Sequence, residues 1–173
     1  VVVADGAALY VDAVYSHAKE HVGLTLALAA VMFAVQIYAD FSGYSDIARG
    51  VSKIFGIELM NNFNKPYFAT SLAQFWTRWH ISLSTWFRDY VYTPLAYRLP
   101  MNRAWFVVLL VFFLSGLWHG ANWTFVAWGL LHGVILVFER AVQLRLLARG
   151  WLRPKRRLPF LWRALAWLYL LCA

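Results

Sequence analysis

The sequence predicts an all-α integral membrane protein, a multi-helical fragment that combines transmembrane, re-entrant and interfacial helices in a single membrane domain, 1–173. Three observations predict it. Apolar residues make up 62% of the chain and charged ones 14%, whereas soluble domains sit nearer half apolar and a quarter charged. The run from Ala104 to Phe138 contains no Asp, Glu, Lys or Arg. The net charge of +8 is unevenly spread, with Arg140, Arg145, Arg149, Arg153, Lys155, Arg156, Arg157 and Arg163 lying between two apolar segments. In a soluble protein such a tail would suggest nucleic acid. Between apolar segments it is the positive-inside pattern, which places loop 139–163 in the cytoplasm beside anionic headgroups. The lipid bilayer is thus the expected partner, and nucleic acid is not.

Residues 1–21 mix apolar residues with Asp5, Asp12, His17, Lys19, Glu20 and His21 and are expected to form an interfacial connection with solvated histidines. The chain opens on Val-Val-Val and ends inside the apolar run Leu158 to Ala173, so it reads as the middle or carboxy-terminal piece of a longer protein. No signal peptide is visible. Val22 to Ala39 is an uncharged stretch of a length that spans a bilayer. DFSGYSDIARG, Asp40 to Gly50, follows. It reads either as a carboxylate pair, Asp40 and Asp46, for acid/base work or a cation, or as a packing turn with Ser45 or Asp46 capping a new helix that Gly56 ends.

Asn61 to Pro66 is a turn cluster, because Pro66 biases Lys65 away from helix. Thr70 or Ser71 can then cap a helix through SLAQFWTRWHISLSTWFRDY. Leu72, Phe75, Trp76, Trp79, Leu83, Trp86, Phe87 and Tyr90 recur there at three- and four-residue spacing, giving one broad apolar face. So many Trp and Tyr suit the membrane–water interface. His80 falls on the margin of that face, beside Trp76, Ser84 and Phe87. Arg98 to Arg103 is a short basic loop. A continuous helix over Ala104 to Phe138 would be roughly 50 Å long, beyond a hydrocarbon core of about 30 Å. The run must break, and Gly116, Gly120 and Asn122 are where it is expected to do so. If both flanking basic loops are cytoplasmic, the run is a hairpin or re-entrant pair turning near His119.

The chemistry-bearing stretch is SGLWHGANW, Ser115 to Trp123. An ionisable side chain at such depth is costly unless it faces a cavity or a partner, so His119 is a functional candidate. Broken backbone at membrane depth survives only beside protein or water. A buried neutral imidazole is a natural general base near neutral pH. His132, in GLLHG, reads equally as a packed histidine bonded to a neighbouring carbonyl. A haem protein or a non-catalytic transporter is the reading from another class. His119 and His132 are thirteen residues apart, about 220° around one helix, so they would not face a single haem. The single cysteine, Cys172, excludes an internal disulfide and a cysteine-based metal site, and no metal is expected.

QIYADFSGYSDIARG, NFNKPYFATSLAQFWTRWHISLSTWFRDYVYTPL and GLWHGANWTFVAWGLLHG, in this order, resemble the membrane-bound O-acyltransferase family, most closely its bacterial alginate O-acetylase branch. The resemblance runs from about Val1 to about Glu139. It implies helices around a tunnel through the bacterial inner membrane, with catalytic histidines at His119, in WHG, and His80, in RWHISLS. It implies His119 as general base or orienter of the acceptor hydroxyl, and His80 as holding the thioester carbonyl or the second oxygen. Asp40, Tyr44, Asp46, Arg78, Trp79, Ser84, Trp118 and Asn122 are further candidates for lining the tunnel. No permanently bound cofactor is implied. The donor would be acetyl-CoA or an acyl-carrier thioester, and the acceptor an exopolysaccharide, reached through periplasmic acetyltransferase partners. D-alanyl transfer to teichoic acid is the rival within the family. Where the family often continues the TPL segment with a Gly-Gly-Asn turn, this chain has AYRLPMN, Ala96 to Asn102.

Overall fold

The computed structural model describes residues 1–150, and among these every regular element is helical. Helix α1, Val2–Ser16, packs antiparallel on helix α2, Gly23–Ile54, as the approach of Gly43 to Val1 at one end and the Tyr15–Phe33 ring contact at the other require. The interfacial connection expected over residues 1–21 is thus mostly helix. Ala4, Ala7, Val11 and Val14, spaced three and four apart, are the buried face that makes it one. Asp5 and Asp12 lie on its exposed side, and His17, Lys19, Glu20 and His21 follow its end.

The expected turn at DFSGYSDIARG is also helix. α2 runs unbroken through Asp40 and Gly43, and Asp46 pairs with Arg49 one turn on, at 3.3 Å. A helical Gly costs about 1 kcal/mol, and packing along α1 outweighs it. The helix ends where expected: Gly56 has φ 73, and the N–H groups of Gly56 and Ile57 donate back to the carbonyls of Lys53 and Ser52. At 32 residues, α2 is about 48 Å long.

The single amphipathic helix expected through SLAQFWTRWHISLSTWFRDY is instead divided. Helix α3 is Leu72–Trp76, helix α4 is Ile81–Phe87, a π-helical turn covers Arg88–Tyr92, and helix α5 is Thr93–Arg98. Ser71 caps α3 as expected, accepting from the Gln74 N–H at 3.1 Å, while Thr70 N–H and hydroxyl donate to the Gln74 side chain. The division falls at His80, which adopts the left-handed conformation, φ 44.

Helix α6, Ala104–His119, and helix α7, Trp123–Ala148, form the expected hairpin, turning at Gly120 to Asn122. The Asn122 side chain accepts from the Thr124 N–H at 3.1 Å and starts α7. Gly116 does not break the run. It lies inside α6, where a Cβ would come within 2.4 Å of the Phe125 carbonyl oxygen, and Gly129 sits as closely on the Phe112 carbonyl, 2.3 Å. These glycines let the two limbs touch backbone to backbone. α2 and α7 are each long and apolar enough to cross a membrane, and α6 is a shorter apolar helix. Residues up to Ala148 of the expected cytoplasmic loop 139–163 belong to α7; its remainder beyond Gly150, and the apolar run Leu158 to Ala173, lie outside the described residues.

The core that positions the site joins α3 to α7. Ala69, Leu72 and Phe75 pack with Tyr67, Trp76, Trp79, Ile135 and Leu136. Glu139, 2% exposed, locks this joint from α7. One carboxylate oxygen accepts from the Leu72 N–H at 3.1 Å and the other from the Gln143 amide at 3.0 Å. Tyr67 ties the same region to α2, its hydroxyl donating to the Ala34 carbonyl at 2.6 Å.

Candidate active site

His119 is the last residue of α6. Its ring lies between aromatic neighbours: Trp118 at 5.0 Å between centroids, Trp128 at 5.2 Å and Phe125, stacked, at 6.2 Å. It opens on a cavity of about 550 Å³ whose wall also includes Tyr67, Trp76, Trp79, Trp128 and His132, with α1 and α2 closing the far side through Tyr15, Phe33 and Ile37. The lining is chiefly aromatic and aliphatic, with few polar groups. That suits a site from which water is displaced and in which electrostatic interactions are strengthened.

His132 is buried and occupies the same wall one α7 turn beyond Trp128. Its Nδ1 lies 2.8 Å from the Trp128 carbonyl oxygen. A carbonyl only accepts, so Nδ1 carries the proton. The packed-histidine expectation therefore holds for the ring's hydrogen bond, while the ring still borders the cavity.

His80 belongs to the loop between α3 and α4. Its ring packs edge-on against Phe41 of α2, with centroids 4.7 Å apart, and against Trp118 of α6, at 5.8 Å. Trp118 therefore touches both candidate imidazoles, so two histidines far apart in sequence reach one indole. His80 lines a second cavity, about 310 Å³, with Tyr44, Ser45, Arg49, Asn62 and Trp118. Burial pushes the His80 imidazole down from its ordinary value to about 4, and the neighbouring His119 ring acts in the same direction. The ring is neutral at physiological pH and able to accept a proton or a hydrogen bond.

The loop's shape comes from outside itself. The Asn62 carbonyl accepts from the Ile81 N–H and the Asn64 N–H donates to the Arg78 carbonyl, both at 3.0 Å. The Asn61-to-Pro66 turn thus grips the chain on either side of His80. Lys65, before Pro66, stays out of the right-handed helical region as expected, but it is left-handed, φ 47, and not in the extended conformation that a following proline favours. Asn62, Ser82 and Tyr67 are the residues that sequence reasoning missed; their only signal was the turn cluster beside RWHISLS.

The remaining candidates distribute as follows. Tyr44 and Trp118 line the His80 cavity, and Trp79 lines the His119 cavity. The Arg78 guanidinium donates to the Lys65 carbonyl at 3.4 Å. Ser84 faces a third cavity, with Ile81, Phe87 and Phe112, and its hydroxyl donates to the Trp79 carbonyl at 3.3 Å. Of the expected neighbours Trp76, Ser84 and Phe87, Ser84 meets His80 through its backbone, its N–H donating to the His80 carbonyl at 3.0 Å, while the His80 ring meets Phe41, Trp118 and Ser82. Asp40 is exposed on α2, Asp46 is held by Arg49, and Asn122 caps α7. Among the described residues no three His, Cys, Asp or Glu side chains gather as a metal cluster.

Comparison with known proteins places the sequence among relatives. Residues 6–173 match the family model described as MBOAT, membrane-bound O-acyltransferase family. The chain is 49% identical over 118 residues to a probable alginate O-acetylase, AlgI, of Azotobacter vinelandii, covering 68% of this chain and 24% of that protein. It is 42% identical over 142 residues to a peptidoglycan O-acetyltransferase of Helicobacter pylori, covering 82% and 27%. To a teichoic acid D-alanyltransferase of Streptococcus thermophilus it is 35% identical over 133 residues, covering 72% and 30%. The chain spans about a quarter of the length of the curated relatives it matches.

Proposed function

The chain belongs to the membrane-bound O-acyltransferase family, and from that premise we propose that its protein transfers an acetyl group from a cytoplasmic thioester donor to a hydroxyl of an exopolysaccharide of the alginate type. The observation that carries the reading is the shared Trp118, which His80 and His119 both touch beside two cavities. His119 Nε2 or Nδ1 takes the proton of the acceptor hydroxyl as its oxygen attacks the thioester carbonyl carbon. The new C–O bond forms, the C–S bond breaks, and the proton passes from the imidazolium to the departing thiolate. His80 holds the second oxygen of the reaction, that of the thioester carbonyl or of the acceptor.

Direct transfer within one ternary complex is preferred over an acyl-enzyme. A serine nucleophile needs a base within hydrogen-bond reach, and the nearby hydroxyls are engaged elsewhere: Ser84 on the Trp79 carbonyl and Ser82 on Asn62. Acetyl-CoA or an acyl-carrier thioester is the donor class, and periplasmic acetyltransferases are the partners through which the polymer is reached. On this reading the protein sits in the bacterial inner membrane with its basic carboxy-terminal segment on the cytoplasmic side.

In the full-length protein, His119→Ala should abolish acetyl ester in the product at unchanged expression, since a positioned base supplies about 10²–10⁴-fold in rate. Wild-type ester content in that variant would reject the assignment. The similarity to a teichoic acid D-alanyltransferase supports a second reading with the same imidazole chemistry, D-alanyl transfer from a carrier protein. Membranes supplied with labelled acetyl-CoA or with alanyl-carrier discriminate between the two.

A further inference from the structure

We propose that Asn62 and Ser82 fix the tautomer of His80, leaving its Nε2 as a hydrogen-bond acceptor, so that His80 receives a hydroxyl of the acceptor substrate next to the one that His119 deprotonates and does not hold the thioester carbonyl. This rests on the acyl-transfer reading of the site and decides a role that reading leaves open.

The argument is one of donor and acceptor accounting. The Ser82 N–H points at the Asn62 side-chain oxygen at 3.2 Å. A backbone N–H only donates, so the atom facing it must be Oδ1 and not the amide nitrogen. The Ser82 hydroxyl lies 2.6 Å from the same Oδ1. Oδ1 cannot donate, so the hydroxyl spends its single proton there. The other side of that hydroxyl faces His80 Nδ1 at 3.4 Å, where it can only accept. Nδ1 therefore carries the imidazole proton and Nε2 carries the lone pair. The Asn62 amide completes the chain by donating to Ser45 on α2 at 3.4 Å, so the relay runs from α2 through the turn to His80.

Backbone geometry reinforces the relay. His80 is non-glycine in the left-handed region, a conformation that persists only where the surroundings over-determine it and that gathers at functional sites. Here the Asn62 carbonyl on Ile81 and the Asn64 N–H on Arg78 supply that determination. Asn62 holds both the tautomer and the backbone of one residue, as a positioning residue. An Nε2 that accepts has no proton with which to bind a carbonyl oxygen; it can receive an O–H, and because His119 takes the proton of the attacking hydroxyl, the O–H that His80 receives belongs to a neighbouring hydroxyl of the acceptor, which orients the attacking oxygen.

The test uses the full-length protein in lipid, with ¹⁵N-labelled histidine and the His80 signals assigned by difference from His80→Gln. The expected spectrum has a protonated Nδ1 and an unprotonated Nε2 at neutral pH. Asn62→Leu and Ser82→Ala should lose that preference. Their kcat should fall by about 10²-fold, the cost of misplacing a reacting group, and KM should rise for the hydroxyl acceptor but not for the thioester. Asn62→Asp and Ser82→Thr keep the acceptor and the hydroxyl and should restore the wild-type spectrum and rate, which a fold defect would not do. A wild-type His80 protonated at Nε2 overturns the proposal, as does a thioester KM that rises in place of the acceptor's. Full activity in His80→Ala would remove His80's role while leaving His119 as base; loss of the His119→Ala effect would remove the acyl-transfer reading instead.

Discussion

Among the described glycines, Gly116 and Gly129 sit closest to facing backbone, and a single methyl group measures the approach. A Cβ at either position would lie within 2.4 Å of a facing carbonyl oxygen, so the α6–α7 hairpin must separate to admit it. Gly116→Ala or Gly129→Ala is expected to destabilise the protein by about 1–3 kcal/mol, read from denaturant midpoints in detergent. Gly50→Ala, in α2 with nothing within 4 Å, is expected to do the reverse, by about 0.5–1 kcal/mol. Equal effects at the three sites would contradict the backbone contact. His80 makes the residue-scale pH prediction. Its folded value of about 4 lies below the unfolded 6.5, so between these the unfolded chain binds more protons. Stability should therefore rise with pH from about 4 to 6.5 and be lost as pH falls through that window. His80→Gln should flatten the slope, which acid unfolding curves of the two proteins would reveal.

Among the elements, α3 is too short to hold itself and depends on α7. The Glu139 carboxylate satisfies the Leu72 N–H across 67 residues of chain. Glu139→Leu strands that donor and should cost about 1–3 kcal/mol, with faster hydrogen exchange at Leu72 and Ala73. Glu139→Gln retains an acceptor and should lose much less. A comparable loss in both would mean that charge, and not the bond to the α3 amide, is what matters. Elements were unequally legible in the sequence. The α6–α7 turn was readable because Gly120 and Asn122 encode it locally, and so were Gly56 and the Ser71 cap. The break at His80 was not, since no glycine or proline marks it: Asn62 and Asn64 impose it from an earlier turn. α1 escaped notice because its buried face is made of two alanines and two valines, a faint apolar signal among scattered charges. DFSGYSDIARG looked like a turn because its glycine and carboxylates are turn residues, but α2 neighbours override them. The histidines of the site were visible as motifs, whereas their meeting at Trp118 depends on how α2, α4 and α6 pack.

For the molecule as a whole, the antiparallel hairpin makes a topological prediction. Phe112 lies against Gly129 and Leu109 against Gly133, so the start of α6 and the end of α7 share one side. In a full-length protein freed of its native cysteines, Cys172 included, single cysteines introduced at Asn102 and Arg149 should react with an impermeant thiol reagent from the same face of sealed vesicles. Labelling from opposite faces would exclude the hairpin in the membrane. The length of α2 has a further consequence. Its 32 residues reach about 48 Å against a hydrocarbon slab of about 30 Å, and the cavity of His80 is bordered by its later part, at Phe41, Tyr44 and Ser45. Lipid thickness then becomes a control variable: thick bilayers take more of α2 into acyl chains, and thin ones leave more of it outside or make it tilt. Turnover in short-chain and long-chain vesicles should differ because the depth of the His80 chamber follows the host membrane.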